Sequence, residues 1–321
     1  MFSLVFDIVF TLAVLVSGIV LLNIASDKAV EHSVHVASAL GISSLMIGLV
    51  LVSIGTDLPE IANSIVSCSS GHGDIDVGDS IGSILTQITL VLGLLPFLGR
   101  TFKIDRKEAL VIGFFEVTTL MLAISVALTG FTREKAFLLI ITWPVSLWII
   151  RKTTLKKIQK KKHVKRQSGR HYLVDLVIAA LGFAGVAIGA LAVVQSIVSL
   201  SERFGVPEFL ISFFLLAIGT SLPELVVDLT AIRKRQYELV IGDVIGSCIV
   251  DATVSISIGQ LLFPAPVFVD AAQRSINLAL YTVFASMIVV MLLAWRQKVD
   301  RKTGACLFIL YGFAYVFLYG L

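Results

Sequence analysis

Apolar positions dominate the chain in long blocks, and ten of these read as bilayer-spanning helices. They lie near residues 3–23, 34–68, 77–98, 108–129, 136–151, 172–199, 207–232, 240–263, 275–295 and 303–320. The second and seventh are too long for one uniform helix. Each is interrupted by the same pattern, Gly55-Thr56-Asp57-Leu58-Pro59-Glu60 in the first half and Gly219-Thr220-Ser221-Leu222-Pro223-Glu224 in the second. A second polar block follows each: Gly78-Asp79-Ser80-Ile81-Gly82-Ser83 and Gly242-Asp243-Val244-Ile245-Gly246-Ser247. Both pairs are 164 residues apart, so the stretches between them align without a gap. The predicted architecture is an all-α polytopic membrane protein. Its ten transmembrane helices form two inverted five-helix repeats, with helices 2 and 7 broken.

Composition agrees with this pattern. Of 321 residues, 57% are hydrophobic and 15% charged, and the mean hydropathy is +0.95. A soluble domain carries roughly a quarter charged residues. Cys68, Cys248 and Cys306 form no CxxC pair and suggest neither zinc nor disulfides. The first apolar run follows no basic segment and outlasts a signal-peptide core, so it is expected to stay as the first helix.

Charge sets the expected orientation. The 151–170 stretch holds ten Lys and Arg, which places it in the cytoplasm. Threading ten spans from there makes 24–33, 99–107, 233–239 and 296–302 cytoplasmic too. These five segments contain 22 of the 26 Lys and Arg; Arg133, Lys135, Arg203 and Arg274 fall on the other side with both termini. The expected division is a first repeat at 1–150, a basic linker at 151–170 and a second, inverted repeat at 171–321. The linker reads most simply as a solvated, topology-setting segment, with anionic lipid as the other partner it could meet. Lysines placed this way do not make a nucleic-acid surface.

The candidate chemistry lies where the apolar pattern breaks. Pro59 cannot donate to the Gly55 carbonyl, nor Pro223 to that of Gly219, which leaves backbone oxygens open to a cation. Glu60 and Glu224 sit mid-span, where an isolated charge costs at least a few kcal/mol. Helical spacing aligns Thr56 with Glu60, and Thr220 with Glu224 and Asp228. Asp79, Ser83 and Gln87 form a further stripe, and Asp243, Ser247 and Asp251 its counterpart. Such a site offers carboxylate, hydroxyl, amide and backbone oxygens, which suit hard cations such as Ca2+, Na+ or Mg2+. Asp79 and Asp243 follow a glycine at an expected helix start, so an N-cap role competes with ion contact. Asp7, Glu116 and Asp175 have no matched motif and are expected at interfaces or paired in the bundle. His72 reads as a loop residue and Cys248 as a small packing residue.

At these residues the chain resembles the sodium/calcium exchanger family of the cation/Ca2+ antiporter superfamily. The specific part is the doubled GTxLPE and GDxIGS, within motifs near 41–95 and 207–258. The resemblance implies a compact prokaryotic-type exchanger with ions bound at the membrane centre. It matches the family's Ca2+-coordinating glutamates to Glu60 and Glu224, and its ion-contacting threonines to Thr56 and Thr220. Its backbone-carbonyl ligands fall on Ser53 and Ala217, and its sodium-site serines on Ser83 and Ser247. The first and sixth spans would slide past a fixed core. The sequence departs from the family at three places: Asp57 replaces a usual serine that survives as Ser221, Gln87 replaces an asparagine opposite the ordinary Asp251, and Asp228 replaces a small residue.

The expected function is therefore Ca2+/Na+ antiport across a prokaryotic cell membrane by alternating access, with Ca2+ and a monovalent cation as substrates and no cofactor. Asp57 and Asp228 motivate an alternative, H+/Ca2+ or another divalent-cation antiport. An anion symporter is disfavoured by the crowd of carboxylates, and a non-transporting sensor or scaffold by the cost of paired polar motifs in a bilayer. No phosphate loop, nucleophile motif or metal-hydrolase signature points to an enzyme.

Overall fold

The computed structural model describes residues 2–158, 172–203, 221–267 and 272–319. They form eleven helices: α1 Phe2–Leu40, α2 Ser44–Thr56, α3 Leu58–Ser69, α4 Gly73–Leu98, α5 Arg106–Leu128, α6 Arg133–Ile158, α7 Tyr172–Arg203, α8 Leu222–Arg233, α9 Tyr237–Leu262, α10 Ala272–Arg296 and α11 Arg301–Tyr319. Seven of these are long and apolar enough to cross a membrane. The bent pair α2 and α3, kinked by 47°, makes an eighth among the described residues. Exposed Phe10, Phe114, Leu138, Leu181, Met291 and Phe313 project outward, as a bilayer-facing surface does.

The first helix departs from its expected limits. It runs on to Leu40 instead of ending near 23, and takes in the first part of the expected second span. Nothing between 24 and 40 breaks it, and several of the polar residues there find partners beyond the helix. Ser26 bonds Thr230 at 3.0 Å, and Lys234 pairs with Asp27 at 3.2 Å. The helix stops at Gly41, whose φ of +66° admits the left-handed turn that a side chain would resist.

Small residues let the helices approach closely. A Cβ on Gly18 would stand 3.0 Å from the Val193 side chain and 3.1 Å from the Gly189 carbonyl. One on Gly182 would stand 2.8 Å from the Ala29 nitrogen and 3.0 Å from the Ala25 carbonyl. Numbers rise along α1 as they fall along α7, so the two pack antiparallel. The contacts are also reciprocal: Gly182, Gly189 and Val193 lie 164 positions after Gly18, Ala25 and Ala29. A second close crossing brings α2 onto α9, where a Cβ on Gly242 would stand 2.3 Å from the Leu45 carbonyl.

The same spacing recurs in the elements. α3 and α8 both start and end 164 residues apart, as do α4 and α9. Within these long helices, π-helical turns occupy Gln87–Val91 and Asp251–Ser255, again 164 apart, and α2 has one at Gly48–Val52. At one end of the bundle, a two-residue antiparallel pair joins Phe102–Lys103 to Lys298–Val299. Two of the basic segments thereby meet.

Candidate cation-binding site

The break between α2 and α3 falls at Asp57, whose φ and ψ of −80° and 9° lie outside the helical range. Pro59 occupies the first turn of α3, where its missing N–H is harmless. The helix resumes through the Ile61 N–H, which donates to the Asp57 carbonyl at 3.0 Å. Gly55, just before the break, lies against the Phe183 ring of α7; a Cβ there would stand 2.3 Å from it. In the second copy Ser221 precedes α8 with similar angles, −97° and 14°, and Pro223 takes the equivalent place.

Carboxylates collect around these breaks. Asp57, Glu60 and Glu224 are buried, and one oxygen from each lies within 4.8 Å of the others. Oxygens on opposite sides of a Ca2+ ion stand about 4.6–5.2 Å apart, so a single ion can reach all three. Asp228, Asp243 and Asp251 are buried nearby, each fully inaccessible to solvent. Among the described residues no lysine or arginine pairs with any of these six. Both oxygens of Asp57, Glu224 and Asp228 also lack a hydrogen-bond donor within range there.

Hydroxyls and an amide complete the surroundings. The Ser83 hydroxyl donates to Glu60 Oε1 at 3.3 Å, and Thr56 Oγ1 lies 3.4 Å from Asp243 Oδ1 and 3.3 Å from Ser247 Oγ. Gln87 donates through Nε2 to Asp251 Oδ2 at 3.4 Å, and the Cys248 thiol approaches Gln87 Oε1 at 3.3 Å. Ser53 is buried, with its carbonyl accepting the Asp57 N–H at 3.0 Å. Ser221 is buried immediately before α8. Thr220 and Ala217 lie outside the described residues.

Two expectations change. Asp79 and Asp243 are not N-caps, because their helices begin earlier, at Gly73 and Tyr237. The glycine before each lies inside the helix and not at its start; Gly242 packs against α2, whereas a Cβ on Gly78 would meet nothing within 4 Å. Asp79 accepts from Asn63 Nδ2 at 2.7 Å. Asp243 instead faces Thr56 and Asp228. Asn63 escapes the reading from sequence; its position one turn after Glu60 on α3 is the signal that could have found it. Glu116 behaves as expected of a paired buried residue, accepting from Ser286 at 2.7 Å. His72 is exposed in the turn before α4, and Cys248 is buried.

Apolar helices that cross a bilayer, broken where anionic side chains gather without basic partners, define a polytopic membrane transporter of cations. A family profile described as sodium/calcium exchanger protein matches residues 10–152 and 174–320. The chain belongs to that family, whose work is cation/Ca2+ antiport. An uncharacterized membrane protein of Methanocaldococcus jannaschii is 29% identical over 297 residues, covering 92% of this chain and 93% of its own. The sodium/calcium exchanger MaX1 of Methanosarcina acetivorans is 26% identical over 339 residues, covering 93% and 95%. Among solved structures, the sodium-calcium exchanger NCX_Mj soaked with 2.5 mM Na+ and 0.1 mM Ca2+ matches with a TM-score of 0.75 at 27% identity. That match covers 95% of this chain and 97% of the other.

Proposed function

We propose that the protein exchanges Ca2+ for Na+ by alternating access at a midplane site, with Glu60, Glu224 and Asp57 as its charged ligands. The observation that carries this reading is the convergence of these three carboxylates within 4.8 Å, buried and without a basic partner among the described residues. Buried anions without countercharge are costly, so the countercharge is delivered from solution as the transported ion. Thr56, Ser83, Ser247, Gln87 and Asp251 supply neutral and charged oxygens around it. Ser53 and Ala217 offer carbonyls, and Thr220 and Ser221 complete the second copy. The named relatives MaX1 and NCX_Mj, sodium/calcium exchangers, favour Na+ as the counter-ion.

The spans form two inverted repeats of five helices, 1–150 and 171–321, joined by a cytoplasmic linker at 151–170. Supporting this are the shared element limits, and the reciprocal glycine contacts that make α1 and α7 antiparallel partners. The basic segments 99–107 and 296–302 meet through their strand pair, as segments on one membrane side must. Both termini then lie outside a prokaryotic cell membrane. α1 and α7, which supply none of the three carboxylates, are the pair that slides past the core.

The test is uptake of radiolabelled Ca2+ into proteoliposomes under an outward Na+ gradient, compared with an outward H+ gradient, with ionophores clamping the potential. Na+-driven uptake is expected. Uptake driven only by H+ would overturn the Na+ assignment and favour H+/Ca2+ exchange, for which Asp57 and Asp228 are the specific observation. No uptake with either gradient would sink the Ca2+ assignment.

A further inference from the structure

The helices α1 and α7 carry a second cluster of metal-ligating side chains. His32 and His35 sit three residues apart on α1, a spacing that places both on one helix face. Opposite them, in the first turn of α7, stands Asp175. The Nδ1 atoms of both histidines converge on one carboxylate oxygen: His32 at 2.7 Å and His35 at 3.3 Å from Asp175 Oδ1. The rings meet edge to face with centroids 5.4 Å apart, and a ligand atom from each of the three residues lies within 4.8 Å of the others. His32 and Asp175 are buried, while the His35 side chain keeps 31% of its surface exposed, which leaves an approach from solution.

We propose that His32, His35 and Asp175 form a binding site for a divalent transition cation of the Zn2+ type, bridging α1 and α7. The ligand set is two imidazoles and one carboxylate, the chemistry that zinc takes and that Ca2+, Na+ and Mg2+ do not prefer. In a tetrahedral zinc site with bonds of about 2.0–2.1 Å, neighbouring ligand atoms stand roughly 3.3 Å apart. The His35–Asp175 separation already has this value. The His32–Asp175 separation is a hydrogen bond that must open by about 0.6 Å to admit the ion. Three protein ligands leave a fourth position for water. The alternative role of the cluster is a hydrogen bond that only holds the helices together.

The two roles are separated by titrating Zn2+ into the purified full-length protein by calorimetry, with excess Ca2+ present to occupy the oxygen-lined site. We expect one equivalent of Zn2+, with a rise in melting temperature. His35→Ala, at a partly exposed position, weakens binding at least roughly tenfold, the loss that removing even an outer-shell partner produces at a zinc site. His35→Cys, which keeps a zinc ligand, restores it. Absence of Zn2+ binding to the wild-type protein, or binding of equal strength in His35→Ala, would overturn the assignment. Neither readout depends on transport, so the proposal fails or stands apart from the exchange of Ca2+.

Discussion

Glu60 and Glu224 occupy matched positions yet have unequal neighbours. Glu60 accepts from Ser83, whereas Ser247, the counterpart of Ser83, turns to Thr56. In the proposed site both carboxylates are ligands for one ion, so Glu60→Gln and Glu224→Gln should each reduce Ca2+ uptake to background while the protein elutes as a folded monodisperse species. Wild-type uptake by either variant would remove that residue from the site. Asp57 is the carboxylate that breaks the match between the copies, since Ser221 stands in its place in the second. Asp57→Ser should keep Na+-driven uptake and weaken Ca2+ binding, because fewer ligand charges lower affinity for a hard cation. Unchanged Ca2+ affinity would show that Asp57 does not face the ion. Asp300 does different work outside the spans. The Thr303 N–H, with Lys298, the Thr303 hydroxyl and Arg296, holds its carboxyl well below the usual carboxylate range. Its stabilisation is therefore complete above the ordinary carboxylate value of about 4 and is lost as pH falls through the lowered one. Asp300→Ala should cost about 1 kcal/mol at neutral pH, as loss of a helix cap does, and Asp300→Asn less, because the amide oxygen still accepts from Thr303. Thermal melts of the two variants provide the comparison.

Among the elements, the broken spans are the most legible part of the sequence. A proline followed by a carboxylate within an apolar block both interrupts the helical hydrogen bonds and calls for a polar cavity, and the break falls inside the repeated hexapeptide. The first glycine of each GDxIGS reads as a helix start because a glycine before an aspartate looks the same in a turn and at a close crossing. In the second copy the packing separates the two: a Cβ on Gly242 would stand 2.3 Å from the Leu45 carbonyl, and one turn on a Cβ on Gly246 would stand 2.8 Å from Leu49 Cα and 3.1 Å from the Ser53 side chain. Gly246→Val should therefore force α9 off α2, lowering stability by roughly 1–3 kcal/mol as overpacking does. A melting temperature equal to that of the wild type would contradict this crossing. The π turns leave no trace in the hydropathy, because they shift which face a residue occupies without changing whether it is apolar.

At the scale of the whole molecule, the span pattern and basic-residue distribution yield a topology that labelling can test. With Cys306 replaced, a cysteine at Ser69, the last residue of α3, should react with an impermeant maleimide in intact cells. One at Lys298 should react only after permeabilisation. The reverse pattern would invert the orientation. The length of α1 is not legible in the sequence, since Asp27, Lys28 and Glu31 look like a loop until Lys234 and Thr230 are placed beside them. The π turns at Gln87–Val91 and Asp251–Ser255 carry a consequence for ancestry. A π turn holds one residue more than a regular helical turn, and so records an insertion. Two insertions at the same register of two copies are most simply one insertion made before the copies parted. The bulge is then older than the duplication, and a single-residue deletion that straightens one copy leaves its twin unmatched.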